Sequence, residues 1–196
     1  MKYIIPTQNQ SLITYDLPPR TCDVILDHYL NVTEVKANHS YVSCIQRWST
    51  YADWIAPFIW NYISHANSIH YRFALDSCIV EEVHFVEYRK GHQFKWHCDD
   101  CVGRHLQYSE PSTDSIRPRS QEYIRKLSFT LQLSDPDQYS GGQLQFLNDK
   151  TNSLFSVPQQ RGLLTIFDSR TRHRVRAVET GSRKVLVGWI LGPRWK

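Results

Sequence analysis

His97 and Asp99 are the residues of this chain whose types and spacing point most directly to chemistry. Residues i and i+2 of an extended strand project from the same face, so this imidazole and this carboxylate could bind one ion together. One distant histidine, for which His173 is the candidate, would complete a 2-His-1-carboxylate set. That set suits Fe(II) and leaves positions open for oxygen chemistry. The sequence therefore predicts a metal centre on His97, Asp99 and His173.

Cys98 and Cys101 give the same segment a second interpretation, as part of a zinc site. A structural zinc site needs a second pair of ligands at suitable spacing, and the nearest candidate, His105, does not supply one. Strand alternation would also turn Cys98 away from the face that carries His97. An ordinary hydrogen-bonded histidine is the other alternative, and the next motif argues against it.

An arginine stands ten residues after His173, on the next predicted strand. The guanidinium of Arg183 has the rigid forked geometry that binds a carboxylate through paired hydrogen bonds. Lys184 points to the opposite face of that strand and is the weaker candidate. A metal centre beside a carboxylate-binding arginine predicts a dicarboxylic acid as cosubstrate.

These motifs follow one another in an order that resembles the prolyl 4-hydroxylase group of Fe(II)/2-oxoglutarate dioxygenases, over about residues 80–192. The matching positions are Tyr88, Gly91, His97, Asp99, residues 127–142, His173, Arg183 and Trp189. The resemblance implies that 2-oxoglutarate is bound by Arg183, Tyr88, Trp189 and Leu144. Gln132 stands where some relatives carry a further polar contact to the cosubstrate.

The resemblance also implies an oxidative enzyme that needs no catalytic residue beyond its metal ligands. Fe(II) and O2 would act with 2-oxoglutarate to hydroxylate an unactivated C–H group, with release of succinate and CO2 and with ascorbate as a reductant. Prolyl residues of a peptide or protein are the expected substrate. A nucleic-acid demethylase of the same superfamily is one alternative, disfavoured because Trp189 stands where those relatives usually carry a second arginine. A non-catalytic jelly-roll binding module is the other.

Two hydrophobic periodicities predict the scaffold of this site. From residue 72 onward, short segments with alternating apolar residues and turn signals predict an antiparallel sandwich or barrel, and the resemblance implies a double-stranded β-helix, or jelly roll. Earlier in the chain, apolar residues at helical spacing predict a short helix after Thr21 as N-cap and a longer helix over residues 54–66. The expected class is mainly β with flanking helices (α+β), the N-terminal helices buttressing the larger sheet.

We expect one domain over residues 1–196, with helical support over about residues 18–70 and the catalytic core over about residues 72–192. A polar insert, residues 102–126, follows Asp99 directly. Loops of this length are substrate lids or disordered segments, and we expect a lid that closes over a peptide substrate.

The composition is that of an ordinary soluble protein, with 41% hydrophobic residues, 21% charged residues and a net charge of +4. The five cysteines are odd in number and scattered, which excludes a disulfide framework. Neither a signal-peptide pattern nor a segment long enough to span a bilayer is recognisable, so a cytoplasmic location without a membrane partner is expected. The mild positive charge is compatible with peptide or nucleic acid, and the sequence predicts no oligomeric state.

Overall fold

The structure is a computed structural model, and it describes residues 12–38, 42–49, 54–76, 83–100, 123–148 and 151–195. Within these residues the helices are α1 (Pro19–Tyr29) and α2 (Ile55–Ala66), and a π-helical turn, Asn67–Tyr71, continues α2. The strands are β1 (Leu12–Asp16), β2 (Val35–Asn38), β3 (Ser43–Ser49), β4 (Val83–Arg89), β5 (Phe94–His97), β6 (Tyr123–Gln132), β7 (Tyr139–Gly141), β8 (Leu144–Asn148), β9 (Ser153–Ser156), β10 (Leu163–Asp168), β11 (His173–Val175) and β12 (Val178–Pro193).

The described strands form two antiparallel sheets. The larger sheet has eight strands in the order β1-β10-β6-β12-β4-β3-β2, with β7 paired to β12. The smaller sheet has four strands in the order β5-β11-β8-β9. The long strand β12 pairs with β4 on one side and with β6 on the other, so it forms the centre of the larger sheet. This architecture confirms the predicted class, mainly β with flanking helices.

Alternation along the central strands divides the interior into two cores. Leu186 and Ile190 of β12 pack with α1 and α2, whereas Val185 packs with the smaller sheet. The helix-side core buries aliphatic residues of both helices, such as Ile25 and Ile59. Each such side chain contributes about 1.5–3 kcal/mol when it leaves water. The helices therefore buttress the larger sheet, and the inter-sheet core surrounds the candidate site.

The aromatic residues of α2 lie beside this core and not within it. Trp54, Phe58 and Tyr62 form a row of ring contacts, and the Trp54 side chain is exposed. The buried stripe of α2 consists of the smaller residues Ile55, Ala56, Ile59, Ile63 and Ala66. The helix predicted over residues 54–66 from apolar spacing is confirmed, and it is the aliphatic residues of that pattern that pack in the core.

Three features of the chain differ from the sequence-based expectation. The helix predicted after Thr21 begins earlier, at Pro19, which suits the first turn because its missing N–H needs no partner there. The segment expected to give helical support, residues 18–70, also contributes β2 and β3 to the larger sheet. The turn signal around Gly181 does not interrupt the strand: residues 179–182 lie within β12, where Gly181 adopts a positive φ and pairs with Tyr139 of β7.

No helix of the described residues is long and apolar enough to cross a membrane.

Candidate metal and cosubstrate site

Three side chains that could bind a metal converge where β5 ends and β11 begins. His97 is the last residue of β5 and pairs with His173, the first residue of β11. One ligand atom from each of His97, Asp99 and His173 lies within 4.8 Å of the others. His97 Nε2 is 3.6 Å from Asp99 Oδ1, and His173 Nε2 is 3.6 Å from Asp99 Oδ2. The donor set is the 2-His-1-carboxylate combination that suits Fe(II).

The position of Asp99 in this cluster is set by a bend in the chain, and strand alternation did not predict it. Strand β5 ends at His97, and Asp99 lies in the bend that follows it. The backbone amides of Asp99 and Asp100 both donate to the carbonyl oxygen of Ser169, at 2.9 and 3.0 Å. The shared strand face that we expected for His97 and Asp99 is therefore wrong. The bend, anchored on Ser169, turns the carboxylate toward both imidazoles.

Backbone carbonyls orient the two imidazoles. His97 Nδ1 lies 2.7 Å from the carbonyl oxygen of Lys95, and His173 Nδ1 lies 2.9 Å from that of Thr171. A carbonyl accepts only, so Nδ1 of each ring carries the proton and donates it. Each Nε2 is then left with a lone pair that faces Asp99, which is the tautomer a metal ligand requires.

Two buried serines orient the carboxylate. Ser128 Oγ donates to Asp99 Oδ2 at 2.6 Å, and Ser169 Oγ lies 2.8 Å from Ser128 Oγ. Both serines are almost completely buried. Hydrogen bonds of this kind fix the direction of a ligating carboxylate and stabilise its charge. Sequence reasoning missed both residues, because serine is common in strands and nothing in their spacing relates them to Asp99.

Electrostatics favour the protonation states that metal binding needs. Burial by itself raises the pKa of Asp99, but its interactions with the imidazoles of His173 and His97 outweigh burial and hold the pKa well below its ordinary value. Burial lowers the pKa of His173 to about 4, and the neighbouring imidazole of His97 acts in the same direction. At neutral pH the carboxyl of Asp99 is ionised and the imidazole of His173 is neutral, as ligands must be.

Arg183 lies on β12, directly opposite Tyr88 of β4. Its side chain is buried, with 4% of the residue exposed, and its Nε donates to Gln132 Oε1 at 3.1 Å. The neighbouring Nη1 is buried and has no hydrogen-bond partner in the structure. A buried cationic N–H without an acceptor is costly. An incoming carboxylate would satisfy it, so this guanidinium fits the distal end of a dicarboxylic cosubstrate.

A narrow cavity between the sheets adjoins Arg183. Its walls include Thr130, Gln132, Leu144, Val157, Thr165 and Arg183. Burial lowers the pKa of Arg183, with nearby tyrosines acting in the opposite direction, and an arginine stays protonated even so. Gly142, at φ +64°, lets the chain pass close to this arginine, because a Cβ there would lie 3.1 Å from Arg183 Cδ. The cavity is small, about 10 Å³, and it places this one cation among both polar and apolar side chains.

A network of polar side chains fixes the position of the Arg183 side chain through Gln132. The amide of Gln132 donates to the Tyr139 hydroxyl at 2.9 Å and to the Ser134 carbonyl at 3.1 Å. Gln159 donates to the same hydroxyl at 3.1 Å and to the Gly141 carbonyl at 2.8 Å. Sequence reasoning identified Gln132 but missed Tyr139 and Gln159. Tyr139 lies within residues 127–142, a segment that carries the family resemblance, so its position was the available signal.

Two of the predicted cosubstrate residues lie beside Arg183. Tyr88 is buried, and the centre of its ring is 5.7 Å from Arg183 Cζ. Burial raises the pKa of the Tyr88 hydroxyl well above its ordinary value, so the group remains a hydrogen-bond donor at neutral pH. Leu144 is buried and lines the cavity. The contact of Tyr88 and Leu144 with a cosubstrate remains a prediction. Lys184, the weaker candidate for binding the carboxylate, pairs with Glu87 and lies on the opposite face of β12.

Trp189 lies beside a residue that contacts one of the candidate metal ligands. It pairs with Ser128, the residue that bonds Asp99. Arg125 stacks on its indole at 3.6 Å, and the ring of His84 meets the indole edge-on at 5.1 Å. The role of Trp189 in the cosubstrate wall also stays a prediction. Arg125 was not among the predicted site residues. Its charge lowers the pKa values of Asp99 and His84, as a smaller contribution beside burial and, for Asp99, the two histidines.

Parts of two predictions fall outside the described residues. Most of the insert expected to form a lid, residues 101–122, lies there, and so do Cys101 and His105 of the zinc alternative. Residues 123–126, expected to end the insert, belong to strand β6, which corrects its boundary. Within the part of the chain that the structure describes, His97, Asp99 and His173 are the one group of three side chains placed to share a metal ion.

Solved structures share this fold. A prolyl-4-hydroxylase of Pseudomonas putida matches 95% of this chain and 94% of its own with a TM-score of 0.69 and 17% identity. The viral collagen prolyl hydroxylase of Paramecium bursaria Chlorella virus-1, in a complex with 2-oxoglutarate, matches 93% of this chain and 97% of its own with a TM-score of 0.66 and 17% identity. At this level of identity the likeness shows the fold, a jelly roll of the prolyl 4-hydroxylase type.

Curated relatives share parts of the sequence. A PKHD-type hydroxylase of Crocosphaera subtropica is 38% identical over 79 residues, which are 40% of this chain and 35% of the relative. A PKHD-type hydroxylase of Synechococcus elongatus is 34% identical over 111 residues, which are 57% of this chain and 43% of the relative. The chain therefore spans less than half the length of these relatives.

The sequence model of one family matches residues 83–191, from the first residue of β4 almost to the end of β12. This segment is more than half of the chain, and it contains the three candidate metal ligands and Arg183. The chain belongs to the 2OG-Fe(II) oxygenase superfamily.

Proposed function

We propose that this protein is an Fe(II)- and 2-oxoglutarate-dependent dioxygenase that hydroxylates prolyl residues in a peptide or protein. The observation that carries the proposal is the pairing of two features in one inter-sheet space. One is the cluster of His97, Asp99 and His173, and the other is a buried arginine with an unpartnered Nη1. A metal centre and a carboxylate-binding cation together suit a cosubstrate that is both an oxo acid and a dicarboxylate.

The residues of the chain divide this work. His97 and His173 offer neutral Nε2 atoms, and Asp99 offers a carboxylate whose direction Ser128 holds. Arg183 binds the distal carboxylate of the cosubstrate, with Gln132 holding its Nε. Iron, 2-oxoglutarate and O2, when bound, would supply the oxidising chemistry: the cosubstrate loses CO2 and takes one atom of O2 to become succinate, and the other atom enters the substrate.

Burial between the sheets supports this chemistry. Asp99 and His173 are both buried, with 8% and 6% of their surfaces exposed. Phe94 stacks on His97 at 3.6 Å between ring centres, and Phe167 meets the ring of His173 edge-on at 4.9 Å. These rings fix the imidazoles and keep water from one side of the ligand cluster. Fixed ligands in a water-poor site are the protein's share in a cofactor reaction.

The prolyl substrate rests on likeness and not on geometry. PKHD-type hydroxylases and prolyl 4-hydroxylases recur among the similar sequences and folds. A solved prolyl hydroxylase of Trichoplax adhaerens, which also shares the fold at a TM-score of 0.66 and 14% identity, is in complex with a peptide of hypoxia inducible factor. By this likeness we propose a polypeptide substrate for this chain, with ascorbate as reductant. One domain over residues 1–196 and a lid formed by the insert that ends before β6 are also part of the proposal.

A substrate panel tests this proposal. The protein is incubated with Fe(II), 2-oxoglutarate, ascorbate and O2 against proline-containing peptides and methylated oligonucleotides, and products are read by mass spectrometry. We expect one added oxygen atom on a prolyl residue, with equimolar succinate, and neither product with Asp99→Ala. Loss of methyl groups from the oligonucleotides would assign the demethylase alternative. Binding of 2-oxoglutarate without turnover of any panel member would contradict the prolyl assignment.

A further inference from the structure

The smaller sheet has a second feature, on the side turned away from the proposed metal centre. His173 and Val175 of β11 are buried, whereas the intervening Arg174 and the following Arg176 reach solvent. Together with Lys95 and Trp96 of β5 they line a groove of about 540 Å³, which we call the basic groove. The proposed oxidation reaction makes no use of these side chains.

A shift in register shapes the groove. Between His97 and Phe94 of β5 there are two residues, whereas one residue separates their partners, His173 and Val175, on β11. The extra residue is a β-bulge, which re-aims side chains. Phe94 consequently stacks on His97, and the two residues between them, Lys95 and Trp96, are left to line the groove.

Arg174 is held in place within the groove. Its guanidinium carbon lies 4.6 Å from the centre of the Trp96 ring, and its Nε donates to Gln145 Oε1 at 2.9 Å. Both partners are neutral, so they fix the position of the positive charge without cancelling it. A cation fixed before binding loses less entropy when it meets an anion.

The groove carries an excess of positive charge. Of the described residues that line it, Lys95, Arg174 and Arg176 are cationic, and Glu179 is the one anionic residue. Lys95 and Arg176 are exposed. An anionic partner is therefore the complementary one.

The shape of the groove favours a polypeptide over nucleic acid. Its floor is formed by neighbouring strands, in which alternate side chains recur about every 6.6–6.8 Å, the repeat of an extended peptide. Binding of single-stranded nucleic acid relies on open aromatic faces on which bases stack. Two aromatic residues line the groove: Phe94 has one face stacked on His97, and Arg174 covers one face of Trp96.

We propose that the basic groove binds an acidic segment of the substrate polypeptide. The inference rests on the proposed function in so far as it takes the substrate to be a polypeptide. Among the described residues, strand β5 lies at the edge of the smaller sheet, where an isolated bridge to Val42 covers only its first residue, Phe94. A polypeptide can therefore pass around the rest of β5 from the metal side to the groove.

Fluorescence anisotropy tests the groove without iron or cosubstrate. The probe is a fluorescein-labelled peptide of alternating glutamate and serine, about ten residues long so that it spans the groove. The groove variant is Arg174→Gln with Arg176→Gln. The matched control is Arg20→Gln with Lys36→Gln, two exposed cations on α1 and β2. A peptide with glutamine in place of glutamate and a single-stranded oligonucleotide complete the set, and melting curves check that each variant folds.

We expect the groove variant to weaken binding of the acidic peptide roughly fivefold or more, and the control to change it by less than about twofold. Equal losses in the two variants would show attraction to the overall positive charge and overturn the proposal. Groove-dependent binding of the oligonucleotide alone, or no binding of the acidic peptide by the wild-type protein, would also overturn it. None of these outcomes depends on turnover, so the proposed oxygenase function stands or falls separately.

Discussion

Replacing Ser128 by alanine probes how the protein orients its proposed metal ligands. Ser128 is 1% exposed, and its hydroxyl donates to Asp99 Oδ2 at 2.6 Å. A hydrogen bond to an ionised group contributes about 1.5–3 kcal/mol, and here its loss leaves a buried carboxylate oxygen and the Ser169 hydroxyl without a partner. Converted at about 1.4 kcal/mol per tenfold, the metal affinity should fall roughly 10- to 100-fold.

Calorimetric titration with Co(II), an air-stable substitute for Fe(II), measures this loss directly. Ser128→Thr keeps the hydroxyl and should restore most of the affinity. Ser134→Ala serves as a matched control, because Ser134 is also buried, with 3% exposed, but it bonds the backbone of Lys184 and Ser182. If Ser128→Ala binds Co(II) as tightly as the wild-type protein, the serine does not orient Asp99 and the reasoning is wrong.

Three further predictions follow from the geometry. Arg183→Ala should weaken 2-oxoglutarate binding by about 2–5 kcal/mol, because the bound carboxylate loses its buried cation, while Co(II) affinity stays the same; unchanged cosubstrate affinity in a titration would place the carboxylate elsewhere. Gly188→Ala should lower the free energy of unfolding by about 1–3 kcal/mol, since its Cβ would lie 2.6 Å from the buried ring of Phe129, and a wild-type melting temperature would contradict this packing. Burial, aided by the charge of Arg125, lowers the pKa of His84 to about 3 from 6.5, so the unfolded chain binds more protons between these values and stability falls as the pH drops below 6.5. His84→Gln should therefore lose about 1–2 kcal/mol less stability than the wild-type protein between pH 7 and pH 5 in urea unfolding, and equal losses would refute the shift.

The strands of the larger sheet could be predicted from sequence where alternate residues face two different environments. Alternation in β6 is regular because Leu127, Phe129 and Leu131 face the helix-side core, whereas Ser128, Thr130 and Gln132 face the candidate site. The edge strand β2 and its neighbour β3 escaped prediction. They mix polar and apolar residues without a period that separates them from loops, and their pairing is fixed by contact with β4 far along the chain.

The candidate ligands could be predicted from residue type and order, but not the reasons for their positions. His97 and His173 meet because β5 and β11 are neighbours, and Asp99 joins them through a bend held by Ser169. Ser128 lies 29 residues after Asp99, on strand β6, and no local sequence pattern predicts their contact. The same holds for Tyr139 behind Arg183. Supporting contacts of this kind are set by tertiary packing, which motif spacing does not encode.

The most direct test of the central claim is the turnover of 2-oxoglutarate itself. The protein is freed of metal with a chelator, supplied with Fe(II) or Mg(II), and assayed for succinate in the presence and absence of O2. We predict succinate only with Fe(II) and O2, and its loss in His97→Ala, Asp99→Ala and His173→Ala, each of which should keep the wild-type fold by circular dichroism. Succinate formed independently of Fe(II), or formed at the wild-type rate by these three variants, would contradict the account.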